Sequence, residues 1–464
     1  MALHTLAEVL AATGGVAHDV TEEGFNSVSI DSRDIAPGAL FVAIRGDRFD
    51  GHDFAAAAIA AGAGAALVSS DRSGEMAGLP RIAVPDPLQG LRDIARSARA
   101  RSKAGIVAIT GSAGKTTTKE AVRAVLSTAG ETHASVKSFN NHWGVPLTLA
   151  RLPVSARFGV FEIGMNHAGE ITPLSELVRP HVAVITSIGP AHIGNLGSMA
   201  AIAMAKAEIF SGLEPGGTAI VNADHDYLDI LLSAARRAGS NIVTFGYAQR
   251  ADVRITNAEE TEAGTLVRAV FEGRAVDMTL SARGRHMASN AVAALCVARC
   301  LGIDLAVAAR AAEGLSAGEG RGAAVQLDGS NGPVELIDES YNANPASMRA
   351  ALEVFGNTRA PGGRRVLVLG AMRELGEFAR RFHAELEKPV LAARPDAVFL
   401  VGDDMAALAA ALAGQVEMHH FETVDEASSE VLNGLAQGDL VMVKGSLSVG
   451  LGGLVKSIRA RFSA

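Results

Sequence analysis

Aromatic side chains make up only 4% of this 464-residue chain, with one tryptophan and three tyrosines. No basic run accompanies them, and the formal net charge is -8. Neither stacked bases nor a phosphate backbone would find a surface here, so no nucleic-acid partner is expected. Cysteine is equally scarce. Cys296 and Cys300, four apart in "NAVAALCVARCLGI", fall on one face of a predicted helix. They read as two small apolar core residues rather than a disulfide or a metal site, which suits a reducing compartment. Long apolar runs are missing as well. The longest, "AAAAIAAGAGAALV", is too short and too glycine-rich to cross a bilayer, so no membrane span is expected. The opening "MALHTLAEVLAATGG" lacks a basic start and Glu8 breaks its apolar stretch, so it does not read as a signal peptide. A cytoplasmic location is expected.

What is present is ample core material: 48% apolar and 20% charged residues, in a chain too long for one ordinary domain. Strand-like and helical runs alternate almost throughout, which predicts an α/β protein. Three domains are expected. Residues 1–85 hold the short strands "SVSI", "ALFVAI", "AALVS" and "RIAV". Residues 86–317 open with the helical "PLQGLRDIARSARARSK" and continue through "GIVAIT", "FGVFEIG", "HVAVITSIG", "TAIVNAD" and "NIVTFG". Such compact apolar runs predict a mostly parallel central sheet, buried on both faces. "TLVRAVFEG" and "RAVDMTLSA" read as a hairpin beside it, and "HMASNAVAALCVARCLG" as its closing helix. "GLSAGEGRGAA" is the linker candidate. Residues 318–464, with "PVELIDES", "RVLVLG", "AVFLVG", "VEMHHF" and "LVMVKGS", read as a second parallel, Rossmann-like sheet. No G-x-G-x-x-G follows its first strand, so no dinucleotide is assigned.

The stretch "ITGSAGKTTTKEAVRAVL" reads as a P-loop. Gly111 and Gly114 permit a tight turn whose N–H groups point inward, and the following helix adds its own unpaired N–H groups. Lys115 brings a point charge, and Thr116 a hydroxyl for a phosphate-bound Mg²⁺. The loop is shorter than the general G-x-x-x-x-G-K-[ST] form, because position 109 is Ile. Strand, turn, Lys-Thr-Thr and helix together point to ATP. Three further residues sit where chemistry would need them. Glu162 ends an apolar strand in "FEIGMNHAGEI", where ligands of open α/β sheets gather and a carboxylate suits Mg²⁺; alone it could equally cap a helix or pair with a cation. His192 follows a buried-type strand in "ITSIGPAHIGNLGS"; a lone loop histidine is more often structural. Lys206, in "AIAMAKAEIFSGL", stands among small apolar residues. Such a lysine usually snorkels to solvent. Buried, its amine would tend to be neutral and could add CO₂, giving a carbamate oxygen for a second Mg²⁺.

"GSAGKTT", "EIGMNHAGEI", "AHIGNLGS…AKAEIF", "GRHMASNAVAA", "GRGA" and "IDESYNANPASM" occur in order along nearly the whole chain, and in this it resembles the Mur ligase family. Within that family "SFNNHWGVPLTLARL", "DESYNANPASMRAAL" and "VLVLGAMRELGE" are similar to the member that adds D-alanyl-D-alanine to a UDP-N-acetylmuramoyl tripeptide. The resemblance implies cytoplasmic peptidoglycan-precursor synthesis by an ADP-forming ligase, acting through an acyl phosphate, and a monomer is expected. It further implies that Gly111, Ser112, Ala113, Gly114, Lys115, Thr116 and Thr117 hold the ATP phosphates. Thr116 and Glu162 would bind one Mg²⁺, and His192 with carbamylated Lys206 the second. Catalysis would rest on Lys115, Glu162, His192 and Lys206. Asn290 would contact the adenine and Arg321 the terminal phosphate, with Asn342 and Asn344 near the nucleotide. Ser32 and Arg33 in "SIDSRDIAPG", with Asn140, Asn141, His142, Asn166 and His167, would touch the substrate. One departure stands out: the family's usual K-G-S-R appears as Lys444-Gly445-Ser446-Leu447. Alternatives remain the third-residue or folylpolyglutamate-type ligases, and a kinase or NTPase switch that forms no amide.

Overall fold

The computed structural model describes residues 2–46, 48–136, 138–261, 263–315, 318, 320–329 and 332–463. Strands β1 (Val16–His18), β2 (Val28–Ser29), β3 (Leu40–Val42), β4 (Ala65–Ser69) and β5 (Arg81–Val84) form one sheet in the order β1-β5-β4-β3-β2. β2 to β5 are parallel and buried throughout, which is why their apolar runs are visible in the sequence. β1 is an antiparallel edge of three residues, too short to show a period. Helix α1 (Pro87–Arg101) then starts where expected. The Asp86 side chain accepts from Leu88 N, and Pro87 occupies the first turn, where no N–H is needed.

The second sheet has nine strands. In chain order they and the helices that matter are β6 (Gly105–Thr110), α2 (Lys115–Ser127), β7 (Thr132–Ala134), β8 (Phe158–Glu162), β9 (Val182–Ile185), α3 (Met199–Ala207), β10 (Thr218–Asn222), β11 (Asn241–Gly246), β12 (Val253–Thr261), β13 (Gly264–Phe271), β14 (Arg274–Leu280) and α4 (Arg285–Cys300). The sheet order is β14-β13-β12-β11-β10-β9-β6-β8-β7. It is parallel from β7 to β12. The expected hairpin is the outer part of an antiparallel meander, β12-β13-β14, continuous with the sheet. β12 escaped the reading because its outward positions are polar and half its residues meet solvent. Val107 and Ile109 of β6, Val122 and Val125 of α2, and Val292 and Leu295 of α4 share one core, which fixes both helices against the strand that leads into the glycine turn. Cys296 is buried in that core, Cys300 is partly buried, and both thiols are free.

Strands β15 (Ala323–Gly329), β16 (Gly332–Glu339), β17 (Arg365–Gly370), β18 (Ala397–Val401), β19 (Glu417–Phe421) and β20 (Leu440–Lys444) build the third sheet, ordered β15-β16-β20-β17-β18-β19. Helix α5 (Pro345–Asn357) follows β16. The sheet is parallel as expected except at one edge, where β15 runs antiparallel to β16. The linker candidate "GLSAGEGRGAA" therefore ends inside a strand; its residues 316, 317 and 319 lie outside the described residues. An antiparallel partner needs only a tight turn, so its connection leaves no helical pattern to read. The carboxyl ends of this sheet lie over those of the nine-stranded sheet: Asn344 Nδ2 donates to Ser112 O at 3.3 Å, and Arg321 Nη2 to Ser138 Oγ at 3.2 Å.

Candidate active site

The turn after β6 is built so that two positions accept only glycine. Gly111 has φ +156°, and a Cβ there would stand 1.9 Å from Thr186 Oγ1 beyond β9. Gly114 has φ +81°, and its Cβ would stand 2.6 Å from Asn290 Oδ1 on α4. Neighbouring strands pin the residues between. Ser112 Oγ donates to Gly189 O at 2.9 Å, and Ala113 N to Ser187 Oγ at 3.0 Å. Lys115 folds back, its Nζ donating to Gly111 O at 2.9 Å. Gly114 is the N-cap of α2 and brings no side chain to satisfy the first-turn N–H groups, which leaves them for an anion.

These residues open onto a cavity of about 590 Å³. Ser112 to Thr117, Glu162, Asn290, Arg321, Asn342 and Asn344 all line it, so the structure gathers the nucleotide-site candidates from α2, β8, α4 and the third sheet. Gly111 lies behind the lining. Thr116 Oγ1 donates to Glu162 Oε2 at 2.7 Å, and Asn140 Nδ2 donates to Glu162 Oε1 at 2.7 Å. A hydroxyl and a carboxylate in contact, with room beside them, fit a Mg²⁺ that keeps waters and phosphate oxygens in its shell. Among the described residues no three His, Cys, Asp or Glu side chains form a ready-made metal cage.

His192 and Lys206 stand outside that lining. Lys206, on α3, is 2% exposed, and burial drives its amine well below the usual lysine range; repulsion from Lys115 pushes the same way. Burial also lowers Lys115, with Glu162 partly offsetting and Arg321 adding to the effect. The buried Lys206 amine and the half-buried Lys115 lie close enough to repel when both are charged. His192 takes the left-handed conformation, φ +61°, and its Nδ1 lies 2.5 Å from Glu374 Oε2 of the third sheet. The separation is short, and the angle falls outside an ordinary hydrogen bond. Contact with His192 is the main reason the Glu374 carboxyl lies below its usual range.

A second cavity, about 860 Å³, is lined by Asn140, Asn141, His142, Asn166 and His167 together with Arg92 and Arg96 of α1. Five of the substrate candidates thus converge, and Asn140 belongs to both cavities. Ser32 and Arg33 reach neither lining. They sit on the turn after β2, where Arg33 forks onto Asp31 at 2.9 and 2.7 Å.

Sequence reasoning missed several lining residues. Two of the three tyrosines, Tyr247 and Tyr341, line the first cavity, each with a guanidinium over its ring: Arg285 at 4.0 Å and Arg321 at 4.2 Å. Their rarity was the available signal. Burial pushes the Tyr247 hydroxyl up to about 12, and it donates to Arg285 O at 2.9 Å. Lys444, 1% exposed, pairs with Glu339 at 3.0 Å. Leu447, where an arginine was expected, lines the cavity with 65% of its surface exposed.

Comparison with known proteins adds independent findings. Family models for the Mur ligase family catalytic domain, the Mur ligase middle domain and the Mur ligase glutamate ligase domain match residues 25–99, 109–298 and 324–447. A UDP-N-acetylmuramoyl-tripeptide--D-alanyl-D-alanine ligase of Synechocystis sp. is 37% identical, over 94% of this chain and 92% of its own length. Among solved structures, MurF from Acinetobacter baumannii superposes with a TM-score of 0.86 at 30% identity, covering 98% of this chain and 99% of its own. MurF ligase from Thermotoga maritima, in complex with ADP, gives 0.78 at 25% identity, covering 94% and 97%.

Proposed function

The chain belongs to the Mur ligase family, and from that premise we propose that it joins the terminal carboxylate of a UDP-N-acetylmuramoyl tripeptide to the amine of D-alanyl-D-alanine, converting ATP to ADP and phosphate. The observation that carries the reading is the Thr116–Glu162 contact at 2.7 Å, set at the uncapped start of α2 and joined through Asn140 to the second cavity. A nucleotide in the first cavity and a carboxylate arriving from the second would meet there.

A carboxylate is a poor electrophile until phosphorylated, and its approach to a triphosphate sets two anions together. At ~4 Å two unit charges repel by ~4 kcal/mol at an effective dielectric near 20. Lys115 and the N–H groups of α2 offset part of that, and spread the charge of the moving phosphoryl group. Thr116 and Glu162 would hold one Mg²⁺, and His192 with a carbamate on Lys206 the second; the ions supply charge neutralisation for phosphoryl transfer. Desolvation and the nearby Lys115 push the Lys206 amine towards the neutral form that adds CO₂, and the carbamate anion would then face the Lys115 cation. Asn290 would take the adenine, Arg321 the terminal phosphate, and Asn342 and Asn344 the nucleotide edge. Asn141, His142, Asn166 and His167 would hold the tripeptide substrate, with Ser32 and Arg33 on the uridine diphosphate. The amine of the dipeptide then attacks the acyl phosphate and phosphate leaves.

The labour divides at residues 85 and 317: a UDP-substrate domain, an ATP domain and a ligase domain. A cytoplasmic monomer is proposed with it, and the two free thiols suit that reducing compartment. Release of ADP with UDP-linked muramoyl tripeptide, with and without D-Ala-D-Ala, is the test. Release that requires both is expected; hydrolysis indifferent to the dipeptide would point to an NTPase instead.

A further inference from the structure

The contact between His192 and Glu374 joins two parts of the molecule at strained points. His192 belongs to the loop beyond β9, and Glu374 to the loop beyond β17. Both take left-handed backbone, φ +61° and φ +64°. For non-glycine residues that conformation costs roughly 1–2 kcal/mol each and persists only where the surroundings impose it. The surroundings here are each other. Gly194 N donates to Glu374 O at 3.1 Å. The two loops touch backbone to backbone, since a Cβ on Gly194 would lie 2.6 Å from Gly376 N. Within this contact Glu374 Oε2 lies 2.5 Å from His192 Nδ1, a buried nitrogen with no hydrogen-bond partner among the described residues.

We propose that Glu374 is a positioning residue that fixes the ring orientation and tautomer of His192, so that docking of the third sheet's loop and completion of the second metal position are one event. A histidine that binds metal through one nitrogen usually gives the other N–H to a carboxylate, and loss of that carboxylate typically weakens the metal 10–100-fold. Here the carboxylate comes from the far side of the cleft. With the loops apart the ring would turn freely; with them together a small rotation of the ring would bring Nδ1–H onto the Glu374 carboxylate 2.5 Å away and leave the lone pair on Nε2. The inference rests on the reading of His192 as a ligand of the second Mg²⁺.

Two readouts test it in the full chain. Mn²⁺ binding in the presence of ADP, followed by electron paramagnetic resonance, should show two ions for the wild type. Glu374→Ala should weaken one of them about 10–100-fold. Gly194→Ala, which forces the loops apart while keeping both side chains, should do the same. In the metal-free protein, ring ¹⁵N resonances of His192, assigned by their loss in His192→Ala, should report one tautomer in the wild type and a mixture in Glu374→Ala. Glu374→Gln, which keeps an acceptor oxygen, should restore the single tautomer. Unchanged ring nitrogens and unchanged Mn²⁺ affinity in Glu374→Ala overturn the proposal. A wild type that takes only one Mn²⁺ sinks the two-ion reading instead, and the metal-free ring resonances still decide whether Glu374 holds His192.

Discussion

Lys206 shows how far a single residue can be read before its surroundings are known. In the sequence it is one cation among small apolar neighbours, of the kind that usually snorkels to solvent. α3 turns it inward to 2% exposure, and only the packing of that helix decides so. If its carbamate is a metal ligand, Lys206→Ala should nearly abolish amide formation, with partial recovery on adding short carboxylic acids; turnover assays decide, and an unimpaired variant refutes the role. Gly114 was legible, because a glycine before Lys-Thr-Thr has few other uses. Its replacement by alanine should cost roughly 1–2 kcal/mol in backbone strain. The clash with Asn290 comes on top, so a lowered Tm and loss of ADP binding by calorimetry are expected. Glu374 lies within the quoted "VLVLGAMRELGE", but nothing in the sequence assigned its carboxylate a partner. A charged loop residue earns notice only when the opposite loop is seen.

At the level of elements, inner parallel strands were visible because both faces are buried and the residues are uniformly apolar, as in β6, β17 and β20. Edge strands β1 and β15 and the inner strand β12 were not, since short or half-polar runs look like loops. The ion pair between Lys444 and Glu339 ties β20 to β16 at directly paired positions. Breaking a buried pair from one side typically costs about 3–5 kcal/mol, because the remaining charge stays buried. Lys444→Met should therefore lower the denaturation midpoint sharply, and adding Glu339→Gln should recover part of the loss. A double variant no more stable than the single would mean the pair matters for packing alone.

For the molecule as a whole, burial lowers the proton affinity of six imidazoles: His4, His133, His181, His225, His286 and His383. His225 falls to about 4, with its Nε2 buried and unpartnered. When a base is harder to protonate folded than unfolded, the unfolded chain takes up the proton first. Stability should therefore be intact above about pH 6.5, fall between there and about pH 4, and lose nothing further from His225 below that. The gap of about 2.5 units is worth roughly 3 kcal/mol, so urea melts at pH 7.5 and 4.5 should differ and His225→Gln should narrow the difference. Domain closure around the shared cleft should show as a smaller radius of gyration in X-ray scattering when nucleotide and substrate are added together. Asn140 borders both chambers and also holds the carboxylate of Glu162. If Glu162 holds metal as proposed, a bacterium challenged by an inhibitor threaded past that amide would have little room to evolve away from it: an exchange that bars the drug would also take one of two donors from the carboxylate.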